Sequence, residues 1–140
     1  MITEYTQDLI DKLNTVEAFE GRVAATLAGT EADPALASME TPFAWVLFQS
    51  LQALGQPLAK GQMMQMNFSV VVFLPYGNGE IDFVETQLQI LDDAAQAVRG
   101  TLAAEQGSYN WTFNGLSYAE NNTDRVAYVL NFSAPAAYAK

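Results

Sequence analysis

The stretch MMQMNFSVVVFLPY, which runs from Met63 to Tyr76, decides the fold. Apolar side chains occupy every even position from 64 to 74, and this two-residue period is that of a β-strand with one face in a core. After Met63 the odd positions are polar at Gln65, Asn67 and Ser69 and then apolar at Val71 and Phe73. The pattern therefore predicts one fully buried face and a second face that needs a cover at one end.

One helix is predicted before this strand and another after it. Residues 3 to 14 place Tyr5, Leu9, Ile10 and Leu13 at helical spacing. Residues 82 to about 105 carry an apolar stripe with spacings of four and three, made of Val84, Leu88, Leu91, Ala95, Val98 and Leu102. Gly107 is positioned to end this long helix.

Three further stretches have the composition of strands. PFAWVLFQ begins at Pro42 and is apolar on both sides, while YNWTFNGLSY and RVAYVLNFS alternate apolar residues with polar or small ones. Residues 16 to 39 have no clear assignment, and the end APAAYAK is predicted to be extended. The sequence thus predicts an α+β fold in a single domain, residues 1–140. Its largely antiparallel sheet has one long helix packed on one face and a short N-terminal helix.

Composition argues against several kinds of chemistry. The 140 residues include neither histidine nor cysteine, which removes disulfides, thiolate nucleophiles, imidazole ligands and the Ser-His-Asp triad. Sixteen acids against six bases give a net charge of −10, and such a surface repels phosphate backbones. We therefore expect a protein that is not an enzyme, needs no cofactor and has no basic patch for nucleic acid.

Two further features bear on location. No run approaches the ~18 apolar residues that a membrane span needs. The first residues include acids where a signal peptide has bases and an apolar run. We therefore expect no membrane partner. We also expect the protein to be made in a cytoplasm and either to stay there or to be assembled there into a larger particle.

Polar clusters that could form a site have simpler interpretations. Asp92 and Asp93 are adjacent on the long helix, so their carboxylates point about 100° apart and do not converge. The acids Glu80, Asp82 and Glu85 lie near a glycine turn but lack the D-x-D-x-D-G pattern of a calcium loop. The amide-rich segment 114–124 could be a ligand loop, although a hairpin connection is the commoner explanation. We therefore predict neither a metal site nor a catalytic pair from these clusters.

The apolar part of the second face predicts a contact between subunits. One long helix covers one face of the sheet, and a chain of 140 residues supplies little else to cover the other. Burial against another copy is the economical solution. The apolar strand residues assigned to this face are Val71, Phe73, Ala44, Val46, Phe48, Ala127 and Val129. The predicted subunit interface consists of Met63, Val71, Phe73, Val46 and Phe48.

In their order and residue composition, these elements resemble the tail terminator, or tail completion, proteins of long-tailed bacteriophages in the Mu-like and lambda-like groups. The resemblance runs through most of the chain, beginning with the amphipathic helix ITEYTQDLIDKL and the Pro-led strand PFAWVLFQ. The long strand MMQMNFSVVVFLPYGNG, the helix DFVETQLQILDDAAQAVRGTLAAE and a hairpin that closes in RVAYVLNFS follow. No residue-level motif accompanies this order, so no site residue is carried over from the family.

The resemblance implies a structural virion protein that forms a hexameric ring at the head-proximal end of the tail. Such a ring is expected to cap the tail tube protein, to dock to the head–tail connector protein and to let DNA pass through its lumen without specific binding. Six copies at −10 each carry −60, and a negative lumen wall keeps DNA from adhering. The acids expected to line the lumen are Asp92, Asp93, Glu31 and Asp33.

Two alternatives stay open. Another head–tail connector, or a component of a contractile injection machine, would differ from a terminator in its partner, since a connector binds the portal side rather than tube subunits. A small-molecule-binding α+β module would instead have a closed apolar pocket and would form a dimer.

Overall fold

A computed structural model describes residues 1–27, 39–55, 61–77, 79–104, 109–121 and 125–139. The helices are α1 (Ile2–Leu13), a 3₁₀ turn (Glu17–Phe19) and α2 (Ile81–Val98). The strands are β1 (Val23–Leu27), β2 (Phe43–Ala53), β3 (Gly61–Pro75), β4 (Thr112–Asn121) and β5 (Arg125–Ala139). Two acids expected at the lumen, Glu31 and Asp33, lie outside the described residues.

The five strands form one sheet in the order β1-β2-β3-β5-β4. β3, which contains most of the stretch that decides the fold, lies at the centre and pairs antiparallel with β2 and β5. β4 pairs antiparallel with β5, whereas β1 pairs parallel with β2. The α+β fold is confirmed, and the largely antiparallel sheet is corrected to a mixed sheet. The parallel strand β1 comes from residues that the sequence left unassigned.

Both helices pack on the same face of this sheet, which we call the core face. The even-numbered side chains of β3 from Met66 to Leu74 are buried there, in one cluster with residues of both helices. The buried residues that α1 and α2 contribute are Tyr5, Leu9, Leu13, Ile90, Leu91, Ala94, Ala95 and Val98. The cover that the sequence assigned to one long helix is therefore a layer of two helices.

α2 ends earlier than the sequence predicts. Its last residue is Val98, and Gly100 follows with a φ of +72°, in the left-handed region that favours glycine. The buried stripe consequently stops at Val98, and Leu102 lies beyond the helix and is 53% exposed. Leu88, which the spacing places in the stripe, is 49% exposed. The buried stripe keeps the predicted Leu91, Ala95 and Val98 and is widened by Ile90 and Ala94.

α1 is tied by two polar contacts to residues that follow α2 in the chain. Tyr5 Oη donates a hydrogen bond to the carbonyl oxygen of Pro135 at 3.0 Å, and Trp111 Nε1 donates one to Asp8 Oδ2 at 2.8 Å. Pro135 belongs to β5, because the predicted extended end pairs with the first residues of β3. β4 pairs with β5 only as far as Ser133, so this proline lies where β5 has a single neighbour.

Candidate functional site

The pairing between β2 and β3 corrects the predicted second face. The register places Ala44 opposite Val72, Val46 opposite Val70 and Phe48 opposite Phe68, all on the core face. Val46 is fully buried there. The assignment of Ala44, Val46 and Phe48 to the second face is therefore wrong. A shift of one residue in register exchanges the two faces of a strand, and PFAWVLFQ is apolar on both.

The second face has an aromatic end and a polar end. At the aromatic end lie Phe43, Trp45, Leu47, Val71, Phe73, Ala127 and Val129. At the polar end lie Ser50, Gln52, Gln65, Asn67, Ser69, Asn131 and Ser133. A bulge between Phe48 and Ser50 moves the polar residues of β2 onto this face. The prediction places Val71, Phe73, Ala127 and Val129 on the correct side of the sheet.

The aromatic end is packed within the chain itself. The rings of Phe43 and Phe73 stack with centroids 4.5 Å apart, and the Trp45 ring meets Phe73 edge-on at 4.6 Å. The guanidinium carbon of Arg125 lies 4.9 Å from the Phe73 centroid and 5.5 Å from that of Phe43. Phe43 is fully buried and Phe73 is 6% exposed, with Met39 also packed against them. The chain thus supplies much of the cover that the sequence assigns to a second copy.

The polar end is a network of amides and hydroxyls without a charged member. Asn67 Nδ2 donates to Ser50 Oγ at 2.9 Å, and Gln65 Nε2 donates to Asn67 Oδ1 at 2.9 Å. Ser69 Oγ donates to Asn131 Oδ1 at 2.9 Å. These side chains satisfy one another, so this end of the face is polar but electrostatically neutral.

Met63 has a partner of its own. It is half-buried at the start of β3, and its Sδ accepts a hydrogen bond from Tyr109 Oη at 3.6 Å. A role for Met63, Val71 and Phe73 in a subunit contact stays a prediction.

The predicted lumen acids of α2 point in different directions, as their adjacency requires. Both are exposed, but only Asp93 lines an open groove of about 1260 Å³ between α2 and the segment around the 3₁₀ turn. Gln89 Nε2 donates to Asp93 Oδ1 at 2.8 Å. The other acids that line this groove are Glu17, Glu20, Asp82 and Glu85. The groove cannot be predicted from sequence spacing, because the 3₁₀ turn and α2 are brought together only when the two helices pack.

Charge is segregated between the two layers of the protein. Ten of the twelve described acids lie in α1, α2 or the turns beside them, and only Glu40 and Glu120 lie elsewhere. Two bases in this layer are paired with acids, Lys12 with Asp8 and Arg22 with Glu20. The helix layer is thus the strongly negative surface, and the sheet presents a nearly neutral one.

Tyr5 is a titratable residue whose environment changes its pKa. Burial against the core raises the pKa of its phenol, and the neighbouring Tyr109 and Glu4 add to the effect. Within the described ranges no three acidic side chains are grouped closely enough to hold a metal ion. No helix there is long and apolar enough to cross a membrane.

Comparison with known proteins places the fold. No protein family and no curated protein matches the sequence. A chain of the structure described as "Virion of native gene transfer agent (GTA) particle" aligns with 92% of this chain and 91% of its own length. The TM-score is 0.60 at 14% sequence identity. The two chains share a fold.

The likeness to the gene transfer agent chain extends over almost the whole of both proteins, so it includes both layers described above. A second solved chain aligns with 92% of this chain and 94% of its own length, at 14% identity. Its TM-score is 0.46, which is too low to show a shared fold.

Proposed function

We propose that this protein is a structural component of a virion and, more specifically, a tail terminator. In this role six copies form a ring that caps the tail tube, stops its growth and presents a docking surface to the head–tail connector. The observation that carries the proposal is the fold shared with the gene transfer agent virion chain over 92% of the sequence. The order of elements that resembles tail terminators supports the finer assignment.

The distribution of charge supports a ring around DNA. A helix layer with ten acids repels phosphates, and six copies carry −60 in total. In this proposal α2 faces the lumen, with Asp92 and Asp93 on its surface. DNA passes such a wall without being held, and the protein needs no catalytic group or cofactor for that role.

The first test is the mass of the purified chain by light scattering, alone and mixed with tail tubes. One copy has a mass of 15.3 kDa, so a ring of six has about 92 kDa. We expect the hexameric mass either in solution or on addition of tubes, and a ring at the tube end by electron microscopy. A chain that remains monomeric or dimeric in both conditions contradicts the proposal. Binding to the portal side instead of to tubes identifies a connector.

One pocket bears on the small-molecule alternative. A cavity of about 200 Å³ lies between the first half of α2 and the ends of β3 and β5, and its lining includes Phe83, Val84 and Tyr128. Gln87 also lines it, and its Oε1 is buried without a hydrogen-bond partner in the described structure. Ligand pockets usually enclose about 300–1,000 Å³, so this one is small. Thermal stabilisation by a metabolite would favour the alternative.

A further inference from the structure

Three rows of apolar side chains cross the entire core face from β1 to β4. They follow from the register of the four strand pairs, each row taking one residue from each strand. The first row is Val23, Ala44, Val72, Tyr128 and Tyr118; the second is Ala25, Val46, Val70, Leu130 and Leu116; the third is Leu27, Phe48, Phe68, Phe132 and Phe113. None of the fifteen side chains is charged.

The two helices cover the middle of these rows and leave four of the six row ends exposed, while Val23 is buried and Phe113 is half-buried. Val46, Val70 and Leu130 are fully buried in the centre of the second row. At one edge Leu27 is 71% exposed, and at the other Leu116 and Tyr118 are 46% and 56% exposed. The second row is exposed at both of its ends, Ala25 on β1 and Leu116 on β4, so it runs off the sheet at both edges.

The two edges also fit one another in direction and charge. β1 runs parallel to β2, and three successive antiparallel pairings then leave β4 antiparallel to β1. β1 contains no charged residue, and β4 contains only Glu120. In a chain with a net charge of −10, these are surfaces through which a second copy can approach at low electrostatic cost.

We propose that the β4 edge of one copy lies against the β1 edge of the next, so that the apolar rows continue from copy to copy. This inference rests on the proposed ring and names the surfaces that build it. The contact joins two different edges, so it repeats head to tail and closes into a ring when the rotation per copy allows. Leu116 and Tyr118 of one copy are then covered by the β1 side of its neighbour.

The absence of cysteine makes this arrangement directly testable by cross-linking. Ala24 and Ser117 end one row on the second face, which runs through Trp45, Val71 and Val129. In the double variant Ala24→Cys/Ser117→Cys, we expect mild oxidation or a short bis-maleimide to give covalent multimers up to the hexamer. The matched control is Gln65→Cys/Ser117→Cys, in which the thiol on β1 is replaced by one on the central strand β3. We expect this control variant to run as a monomer on a denaturing gel.

The outcomes separate the edge contact from the ring itself. A hexameric mass without multimers in Ala24→Cys/Ser117→Cys overturns the edge contact and leaves the ring intact. Covalent dimers from Ser117→Cys alone indicate two β4 edges in contact and also overturn it. A wild-type chain that stays monomeric with and without tubes overturns both proposals.

A second variant tests the apolar rows without cysteines. Leu116→Lys places a charge at the exposed end of the second row, and we expect it to raise the concentration for half-assembly about tenfold or more. Ile81→Lys makes the same charge change at a residue 66% exposed at the start of α2, and we expect unchanged assembly. Equal behaviour of the two variants contradicts the proposed contact. Circular dichroism of each monomer shows whether the fold is intact.

Discussion

Trp111 Nε1 donates a hydrogen bond to Asp8 Oδ2 at 2.8 Å, and this contact joins residues 103 positions apart. The same carboxylate oxygen is paired with Lys12 on the next turn of α1. The Trp111 ring is 1% exposed and lies edge-on to Tyr5 and to Phe68 of β3. Asp8 therefore fixes both the position of α1 and the orientation of a central core ring.

Replacing this carboxylate should destabilise the chain. Asp8→Ala leaves a buried indole N–H without its acceptor, and we expect the free energy of unfolding to fall by about 1.5–3 kcal/mol. Asp11→Ala removes an exposed carboxylate from the same helix and should change it by less than about 0.5 kcal/mol. Urea denaturation followed by circular dichroism measures both. Equal losses in the two variants would show that helix charge, not the bond to Trp111, is responsible.

Tyr5 should make the protein sensitive to alkali. Burial raises the pKa of its phenol above the ordinary value of 10.0, so above pH 10 the unfolded chain loses this proton before the folded chain does. The stabilisation that this phenol contributes is fully present below pH 10. It is lost as the pH rises through the pKa of the phenol in the folded chain. We expect thermal unfolding temperatures to fall less steeply above pH 10 in Tyr5→Phe than in wild type. Identical slopes contradict the assignment.

The corrected register of β2 makes its own prediction. Val46 is fully buried on the core face, so Val46→Ala should lower the free energy of unfolding by about 2–3 kcal/mol even in the monomer. Leu47, its half-buried neighbour, lies on the second face, and Leu47→Ala should cost less. Urea titrations at low protein concentration compare the two. A larger loss at Leu47 would restore the register that the sequence suggested.

The proposed lumen position of α2 can be tested by reversing charge. Asp92→Lys/Asp93→Lys should make assembled rings retain double-stranded DNA at low salt, and added salt should release it. Glu4→Lys/Asp11→Lys makes the same change of charge on α1 and serves as the control. A gel-shift titration against ionic strength reports both. Retention by the α1 variant alone would place α1, not α2, toward the DNA.

Sequence alone predicts the features of this fold that have a local period. The alternation in β3 and the apolar spacing in α1 identify a strand and a helix, because each pattern is complete within a dozen residues. The end of α2 is set by one backbone conformation at Gly100, which the stripe through Leu102 conceals. The parallel strand β1 is only five residues long and has no alternation strong enough to reveal it.

The candidate surfaces are harder to predict, because they depend on register. PFAWVLFQ is apolar on both faces, so nothing within it decides whether Val46 or Leu47 points to the core. That choice is made by the pairing with β3, more than twenty residues away in the chain. The bulge near Gln49 then reverses the faces for the rest of the strand. The acidic groove likewise exists only once the 3₁₀ turn packs beside α2.

The position of β5 in the sheet has a consequence for biosynthesis. β5 follows the other four strands in the chain, yet it lies between β3 and β4 in the sheet. It pairs with β3 over its whole length, from Arg125 opposite Pro75 to Ala139 opposite Gly61. Until residues 125–139 leave the ribosome, the long edge of β3 has no neighbour and β4 has no sheet to join. The sheet therefore closes only after translation has passed β5. In a nascent chain stalled before Arg125, this edge of β3 is unpaired, and unpaired apolar strand edges promote aggregation.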